Sequence, residues 1–219
     1  MLKSQIRAVI FDCDGTLVDS EVPGIDVMHA HACALGLDLT REQAHQQFLG
    51  ARMADCVAWI GARLPHRPDD FEVDFTRTVR SAQAERFSQG LGVIPGAIEL
   101  LDRLTIPFCV ATNGPREKAE LTLGLTGLLR FFPDRLFSAY EVGSFKPDPG
   151  LFLHAARIMG VAPQSCAVVE DSLPGIQAGL AAGMQVFGLI PPDALSPDVL
   201  RQISLIKDLS DLNFQESGQ

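Results

Sequence analysis

The chain has 219 residues, 18 Lys and Arg against 27 Asp and Glu, a formal net charge of −9, and 47% apolar residues. That balance excludes a disordered chain and suits one domain of about 150 residues with a smaller insert. An acidic chain without a Lys/Arg cluster is a poor match for phosphate backbones or anionic lipid surfaces, so neither nucleic acid nor membrane is an expected partner.

Starting from the N-terminus, a buried strand is expected at Arg7–Phe11. Its apolar run is too short for a signal-peptide core, and no segment approaches the roughly 18 apolar residues of a membrane span. Helical stretches follow at Ile25–Leu35, Arg41–Phe48, Met53–Leu64 and Phe71–Phe87, the last two parted by Pro65 and Pro68. Beyond residue 90 the pattern alternates. Helices are expected at Gly96–Leu104, Arg116–Leu125, Gly150–Met159 and Gly175–Ala182, and strands at Pro107–Ala111, Leu136–Ala139, Cys166–Val169 and Met184–Ile190. These strands are short and Val/Ile/Phe-rich, without strict alternation, as in a parallel sheet buried on both faces. The fold class is therefore α/β, a doubly wound parallel sheet. An all-helical insert over residues 18–90 interrupts a core formed by 1–17 and 91–219, and Ser210–Gln219 is read as a frayed polar tail. Cys13, Cys33, Cys56, Cys109 and Cys166 are odd in number and form no C-x-x-C pair, which argues against disulfides or zinc and for a cytoplasmic protein. Cys13 is read as a buried apolar residue facing away from its acidic neighbours.

Ligands of such sheets gather at the carboxyl ends of the strands. There the chain carries Asp12-Cys13-Asp14-Gly15-Thr16, then Thr112-Asn113-Gly114, then Lys146-Pro147-Asp148, then Glu170-Asp171-Ser172. Asp12, Asp14, Glu170 and Asp171 sum to −4, and Lys146 returns +1. Like charges at ~4 Å repel by about 4 kcal/mol per pair at an effective dielectric of 20, so the cluster must take a divalent cation or protonate. Oxygen donors without His or Cys favour Mg²⁺. Lys146, Thr112 and Asn113 supply charge and hydrogen bonds for phosphoryl oxygens. Two acids spaced D-x-D face the same way on an extended strand. One can attack phosphorus while the other moves protons.

FDCDGTLVDSE, ATNGP, FKPDP and VVEDSLPGIQAGLAAGM resemble, in order and across nearly the whole chain, the four motifs of the haloacid dehalogenase (HAD) superfamily of phosphohydrolases. The helical insert is similar to the small cap of the subfamily that includes phosphoglycolate phosphatase and β-phosphoglucomutase. The resemblance implies a Rossmann-type core, Asp12 as nucleophile and Asp14 as general acid/base. It implies Thr112 and Asn113 as phosphate ligands, Lys146 as charge neutraliser, and Mg²⁺ on Asp12, the Asp14 carbonyl and Asp171, with Glu170 close by. The stretches between motifs resemble bacterial 6-phosphogluconate phosphatases, which implies a small phosphorylated sugar or sugar acid as substrate. The mutase branch carries a histidine near the position of Gly24, which this chain lacks, so a sugar phosphomutase stays behind as the second reading. A phospho-aspartate signalling receiver is the rival of another class, but receivers are about half this length and lack a cap.

Arg52, in Gly50-Ala51-Arg52, lies where the subfamily's specificity loop falls and is expected to meet substrate. Arg116 is expected to help hold an anionic substrate, Lys118 to lie on a solvated helical face, and Glu21 to face water. His29, His31 and His45 are read as structural, Trp59 as part of the insert's core, and Asp148 as a helix cap. The protein is expected to be a monomer or homodimer.

Overall fold

The computed structural model describes residues 5–214. The chain begins with β1 (Ala8–Phe11) and a two-residue β2 (Val18–Asp19). Four helices follow: α1 (Glu21–Ala34), α2 (Arg41–Phe48), α3 (Met53–Gly61) and α4 (Phe71–Ser88). After β3 (Gly92–Val93) come α5 (Ala97–Arg103), β4 (Phe108–Thr112), α6 (Arg116–Leu125), β5 (Leu136–Ser138) and α7 (Ala139–Val142). The remainder is α8 (Gly150–Met159), β6 (Cys166–Glu170), α9 (Leu173–Ala181), β7 (Gln185–Gly188), α10 (Pro197–Leu200) and β8 (Ser204–Leu205). Two compact units result, residues 1–18 with 92–219 and residues 19–91.

The first unit is built on a six-stranded sheet in the order β5-β4-β1-β6-β7-β8. Every neighbouring pair is parallel, with Ile10 of β1 level with Cys109 on one side and Val168 on the other. Strand side chains alternate between the two faces. On one face Ala8, Ile10, Cys109, Ala111 and Val168 join a core with Leu151, Phe152 and Ala155 of α8 and Ile176 of α9. Val9, Phe11 and Val110 turn to the other face and are just as buried. Cys13, two residues after Phe11, lies 3.9 Å from the Thr122 hydroxyl of α6, so α6 covers that second side. Burial on both faces explains why these strands read as unbroken apolar runs.

The chain runs from β1 to β4 and β5 on one flank, then crosses to β6, β7 and β8 on the other. The strand order therefore reverses direction at β1, the topological position at which doubly wound sheets open a crevice at their carboxyl edge. Asp12, Thr112 and Glu170 sit at or just beyond the carboxyl ends of β1, β4 and β6, which flank that point.

The second unit is all helical. Ile25, Met28 and Ala32 of α1 pack with Ala44 and Phe48 of α2, Val57 and Ile60 of α3, and Phe71, Phe75 and Val79 of α4. Trp59 packs edge-on against Phe48 at 5.5 Å between ring centroids and carries Arg63 over its face. Thr40 closes a capping box with Gln43 at the start of α2. His29 and His31 bond backbone carbonyls of their own unit, and His45 bonds Asp26.

The segment read as a frayed tail is held in place. Leu212 and Phe214 are buried, Phe214 packs edge-on against Phe187 at 5.2 Å between ring centroids, and Arg103 donates to the carbonyls of Ser210 and Leu212. Two apolar side chains within a polar stretch, next to buried Leu209, anchor this segment. The rest of that reading, 215–219, lies outside the described residues. The short elements β2, β3, β8, α7 and α10 were not anticipated, since two to four residues carry no period to recognise.

Candidate active site

The backbone N–H of Asp12 donates to Val169 O at 3.0 Å, which extends the β1–β6 ladder by one residue and fixes the Asp12 side chain at the sheet edge. Gly15 then takes a φ of +81°, a conformation that β-carbon-bearing residues resist, and the chain doubles back with Gly15 N–H donating to Val18 O. The turn also buries Thr16, whose hydroxyl donates to Asp171 Oδ1 at 2.7 Å. The segments after β1 and β6 are thereby tied side chain to side chain.

Lys146 is the centre of the charge arrangement. It is 3% exposed, its ammonium bonds Asp12 Oδ1 and Glu170 Oε1 (2.6 Å to the latter), and it lies 4.9 Å from the centre of the Phe152 ring. Burial disfavours its charge, but Asp12 and Glu170 outweigh that and hold its pKa above the ordinary lysine value. Burial pushes the Asp12 carboxyl up to about 8; Lys146 opposes the shift, while Glu170 and Asp14 add to it.

Asn113 is engaged with the backbone that carries this lysine. Its Oδ1 accepts from Lys146 N at 2.9 Å, and its Nδ2 donates to Lys146 O at 3.4 Å. The loop after β4 thus braces the loop after α7. Thr112 Oγ1 accepts from Gly114 N at 3.0 Å, and Ser138 Oγ at the end of β5 donates to Gly114 O at 2.7 Å.

Glu170 is fully buried. Its second oxygen accepts from the N–H and the hydroxyl of Ser172 at 3.0 and 2.8 Å. Ser172 in turn caps α9, accepting from Gly175 N–H. A β-carbon at Gly175 would run into the Glu170 carboxylate, so glycine here lets the first turn of α9 close over the acid. With Lys146 and Ser172 both on it, Glu170 is arranged chiefly to hold that lysine. Oxygens of Asp12, Glu170 and Asp171 lie within 4.8 Å of one another.

Two cations follow β4, and the structure places them differently from the sequence reading. Lys118 was expected in solvent. Instead it is 32% exposed in its side chain, and its ammonium bonds Asp14 Oδ2 at 2.8 Å. Burial opposes its charge, yet Asp14 prevails and raises its pKa. Arg116, expected to meet substrate, forms a two-pronged pair with Glu141 at 2.6 and 2.8 Å and donates to Leu136 O. Its guanidinium is engaged in joining α6 to β5 and α7. In the helical unit, Arg52 pairs with Asp55 in two bonds of 2.7 and 2.8 Å, and Glu21, read as facing water, accepts from Gly50 N at 3.1 Å. Asp148, read as a cap, accepts from Gly150 N and from the Ser144 hydroxyl.

With Lys118 included and all four carboxyl groups ionised, the edge carries −4 against two ammonium groups, −4 + 2 = −2. A divalent cation balances that sum. The donors are carboxylate oxygens without thiolate or imidazole, a set that fits a hard ion such as Mg²⁺. Asp12, Asp14, Thr112, Asn113, Lys146, Glu170 and Asp171 are thus gathered at the ends of three adjacent strands and the loop that faces them.

Residues 6–183 match the family model of haloacid dehalogenase-like hydrolases. Over 209 residues, 95% of this chain and 94% of the relative, the sequence is 36% identical to a 6-phosphogluconate phosphatase of Escherichia coli K12. It is 32% identical over 189 residues to hexitol phosphatase A of the same organism, covering 85% and 84% of the two chains. A HAD family hydrolase from Deinococcus radiodurans R1, solved with bound phosphate and sodium, superposes with a TM-score of 0.70 at 31% identity, covering 92% and 91%. Motif order, sheet topology, the acid-and-lysine cluster and these matches together establish that the chain belongs to the haloacid dehalogenase-like hydrolases, among their phosphatases.

Proposed function

We propose that this protein is a Mg²⁺-dependent phosphatase of small phosphorylated sugars or sugar acids, with 6-phosphogluconate the leading candidate, acting through a phospho-aspartyl form of Asp12. The observation that carries the reading is the convergence of Asp12, Asp14, Lys146, Glu170 and Asp171 at one edge of the sheet. The substrate class rests on the 6-phosphogluconate and hexitol phosphatases among the relatives, and the phosphoryl site on the phosphate bound in the Deinococcus hydrolase.

In this mechanism an Asp12 oxygen forms a bond to phosphorus as the bond to the sugar oxygen breaks, and Asp14 gives that leaving oxygen its proton. Asp14 then takes a proton from water as the water oxygen attacks phosphorus, which releases inorganic phosphate and restores Asp12. Lys146, fixed by Glu170 and by Asn113 on its backbone, offsets charge beside the nucleophile. Asp12, the Asp14 carbonyl and Asp171 would hold Mg²⁺, which when bound neutralises the acids and the transferring phosphoryl oxygens. Thr112 and Asn113 are read as phosphate ligands, and the helical unit as a cap that excludes water and contributes Arg52 to specificity.

The mutase reading is disfavoured by the surroundings of Gly24. Gln83 Nε2 donates to Gly24 O at 2.9 Å, and a β-carbon at this position would lie 3.3 Å from that nitrogen and 3.6 Å from Phe87. A side chain here would have to shift the Gln83 amide that bonds this backbone. The receiver reading loses its support to a hydrolase-family match over residues 6–183.

The test is phosphate release from 6-phosphogluconate, phosphoglycolate, hexose 6-phosphates and β-glucose 1-phosphate, with and without Mg²⁺. Mg²⁺-dependent release that is strongest for 6-phosphogluconate and abolished in Asp12→Asn is expected. Conversion of β-glucose 1-phosphate to the 6-phosphate without free phosphate would overturn the reading, as would full activity of Asp12→Asn.

A further inference from the structure

Lys118 is a cation in an unfavourable place for helix stability. It lies in the first turn of α6, where the helix dipole already presents positive charge and where acids, not lysines, stabilise. The other cation of that turn, Arg116, is drawn away to Glu141 on α7. Lys118 instead reaches back across the sheet edge and bonds Asp14 Oδ2 at 2.8 Å, 104 residues away in sequence. Gly114 makes room for the pair. A β-carbon there would already touch both partners, at 3.7 Å from Asp14 Oδ2 and from Lys118 Cδ, and would press on Thr112 Oγ1 at 3.3 Å. The carboxylate and the lysine stem therefore meet over a backbone segment without a side chain, within the same unit as the rest of the cluster.

We propose that Lys118 is a positioning residue for Asp14, and that its task lies in the second half of the reaction, the hydrolysis of phospho-Asp12. The inference rests on the phosphatase reading above. The ammonium pins Asp14 Oδ2 and so sets the rotamer of the carboxylate that receives the proton of the attacking water. In that step the water O–H bond breaks, its proton passes to Asp14, the water oxygen bonds to phosphorus, and the bond from phosphorus to the Asp12 oxygen breaks. Lys118 exchanges no atom in this sequence. Its contribution is to keep the accepting oxygen where the water is. Lys146 has a different duty, since it bonds Asp12 and Glu170 and lies beside the nucleophile.

The probe is p-nitrophenyl phosphate with Mg²⁺, followed by stopped-flow absorbance. Its leaving group departs without needing a proton, so the first nitrophenolate released reports phosphorylation of Asp12 and the steady state reports the step assigned to Lys118. Lys118→Met should show a burst approaching one nitrophenolate per chain, followed by a steady-state rate at least about tenfold below that of the unsubstituted protein. kcat and KM should fall together, with kcat/KM within about twofold, because kcat/KM reports the first irreversible step. Acid quenching should recover phosphate bound to the protein, and Lys118→Arg should restore most of the steady-state rate. Lys118→Gln, which keeps a donor, should slow the same step by less and serves if Lys118→Met does not fold. A fall in kcat/KM without a burst would overturn the proposal in favour of a role in binding or in the first step. Unchanged kinetics would overturn it outright. If Asp12→Asn turns over the probe as fast as the unsubstituted protein, the phosphatase mechanism itself fails, independently of Lys118.

Discussion

Lys146 has two carboxylates on its ammonium, an aromatic ring against its flank and almost no water. Such an arrangement is costly to break from one side, because an uncompensated buried charge remains. Lys146→Met should leave Asp12 and Glu170 facing each other and lower stability by about 3–5 kcal/mol, read from urea unfolding. A loss below about 1 kcal/mol would mean that the ammonium contributes little to the fold. The lysine was visible in the sequence because it follows a strand within a recognisable motif. Its support was not. Asn113 was expected on phosphate, and the structure shows its amide bonded on both sides of the Lys146 backbone. Lys118 was given to solvent because helix periodicity says which face a residue occupies and nothing about a carboxylate 104 positions earlier. Its one available signal was a lysine in a helix's first turn, against the dipole. Arg116 shows the converse: it follows a motif, but Glu141 takes up its guanidinium.

Helices were legible where apolar spacing runs for several turns, and α2 and α8 begin and end where the spacing says. The end of α3 was set too far, at Leu64 instead of Gly61, and the starts of α1 and α9 were set too late, each beyond a proline. Pro23 and Pro174 lie in first turns, where an N–H has no intrahelical acceptor, so the ring breaks nothing. Between α1 and α2 an ionic link adds to the apolar packing. Asp26 accepts two bonds from Arg41, at 2.7 and 2.9 Å, and one from His45 at 2.8 Å. The hydrogen bond from Arg41, supported by His45, holds the Asp26 carboxyl down at about 2. A carboxyl depressed on folding contributes stability above its unfolded value of 3.8 and loses it as pH falls through about 2. The side chain is 37% exposed and so screened by salt, which keeps the effect small. Asp26→Asn should therefore lower the melting temperature by no more than about 2–4 °C at neutral pH, and the difference should shrink steadily as melts are taken from pH 4 down to pH 2. A difference that is undiminished at pH 2 would assign it to packing rather than to charge.

The sheet order, β5-β4-β1-β6-β7-β8, explains why motifs scattered over about 160 residues share one edge. Asp12, Thr112 and Glu170 end or follow adjacent strands, and the loop carrying Lys146 is pulled in by Asn113. The resulting charge of −2 leads to a prediction for the unsubstituted protein. Mg²⁺ at a hundredfold its Kd should add about 2.7 kcal/mol, a rise of about 5–10 °C in melting temperature for a chain of this size. Asp171→Asn should remove most of that rise, and an unchanged melting temperature with Mg²⁺ would contradict the metal assignment. Composition, apolar periodicity and the four motifs were enough for the fold class, the family and the cluster of acids, because each is written in local residue order. Which cation pairs with which acid was outside their reach. Lys118 on Asp14, Arg116 on Glu141, Glu21 on Gly50 and the anchoring of the C-terminal segment by Leu212 and Phe214 all depend on distances between remote segments, and those distances exist only once the sheet and helices have packed.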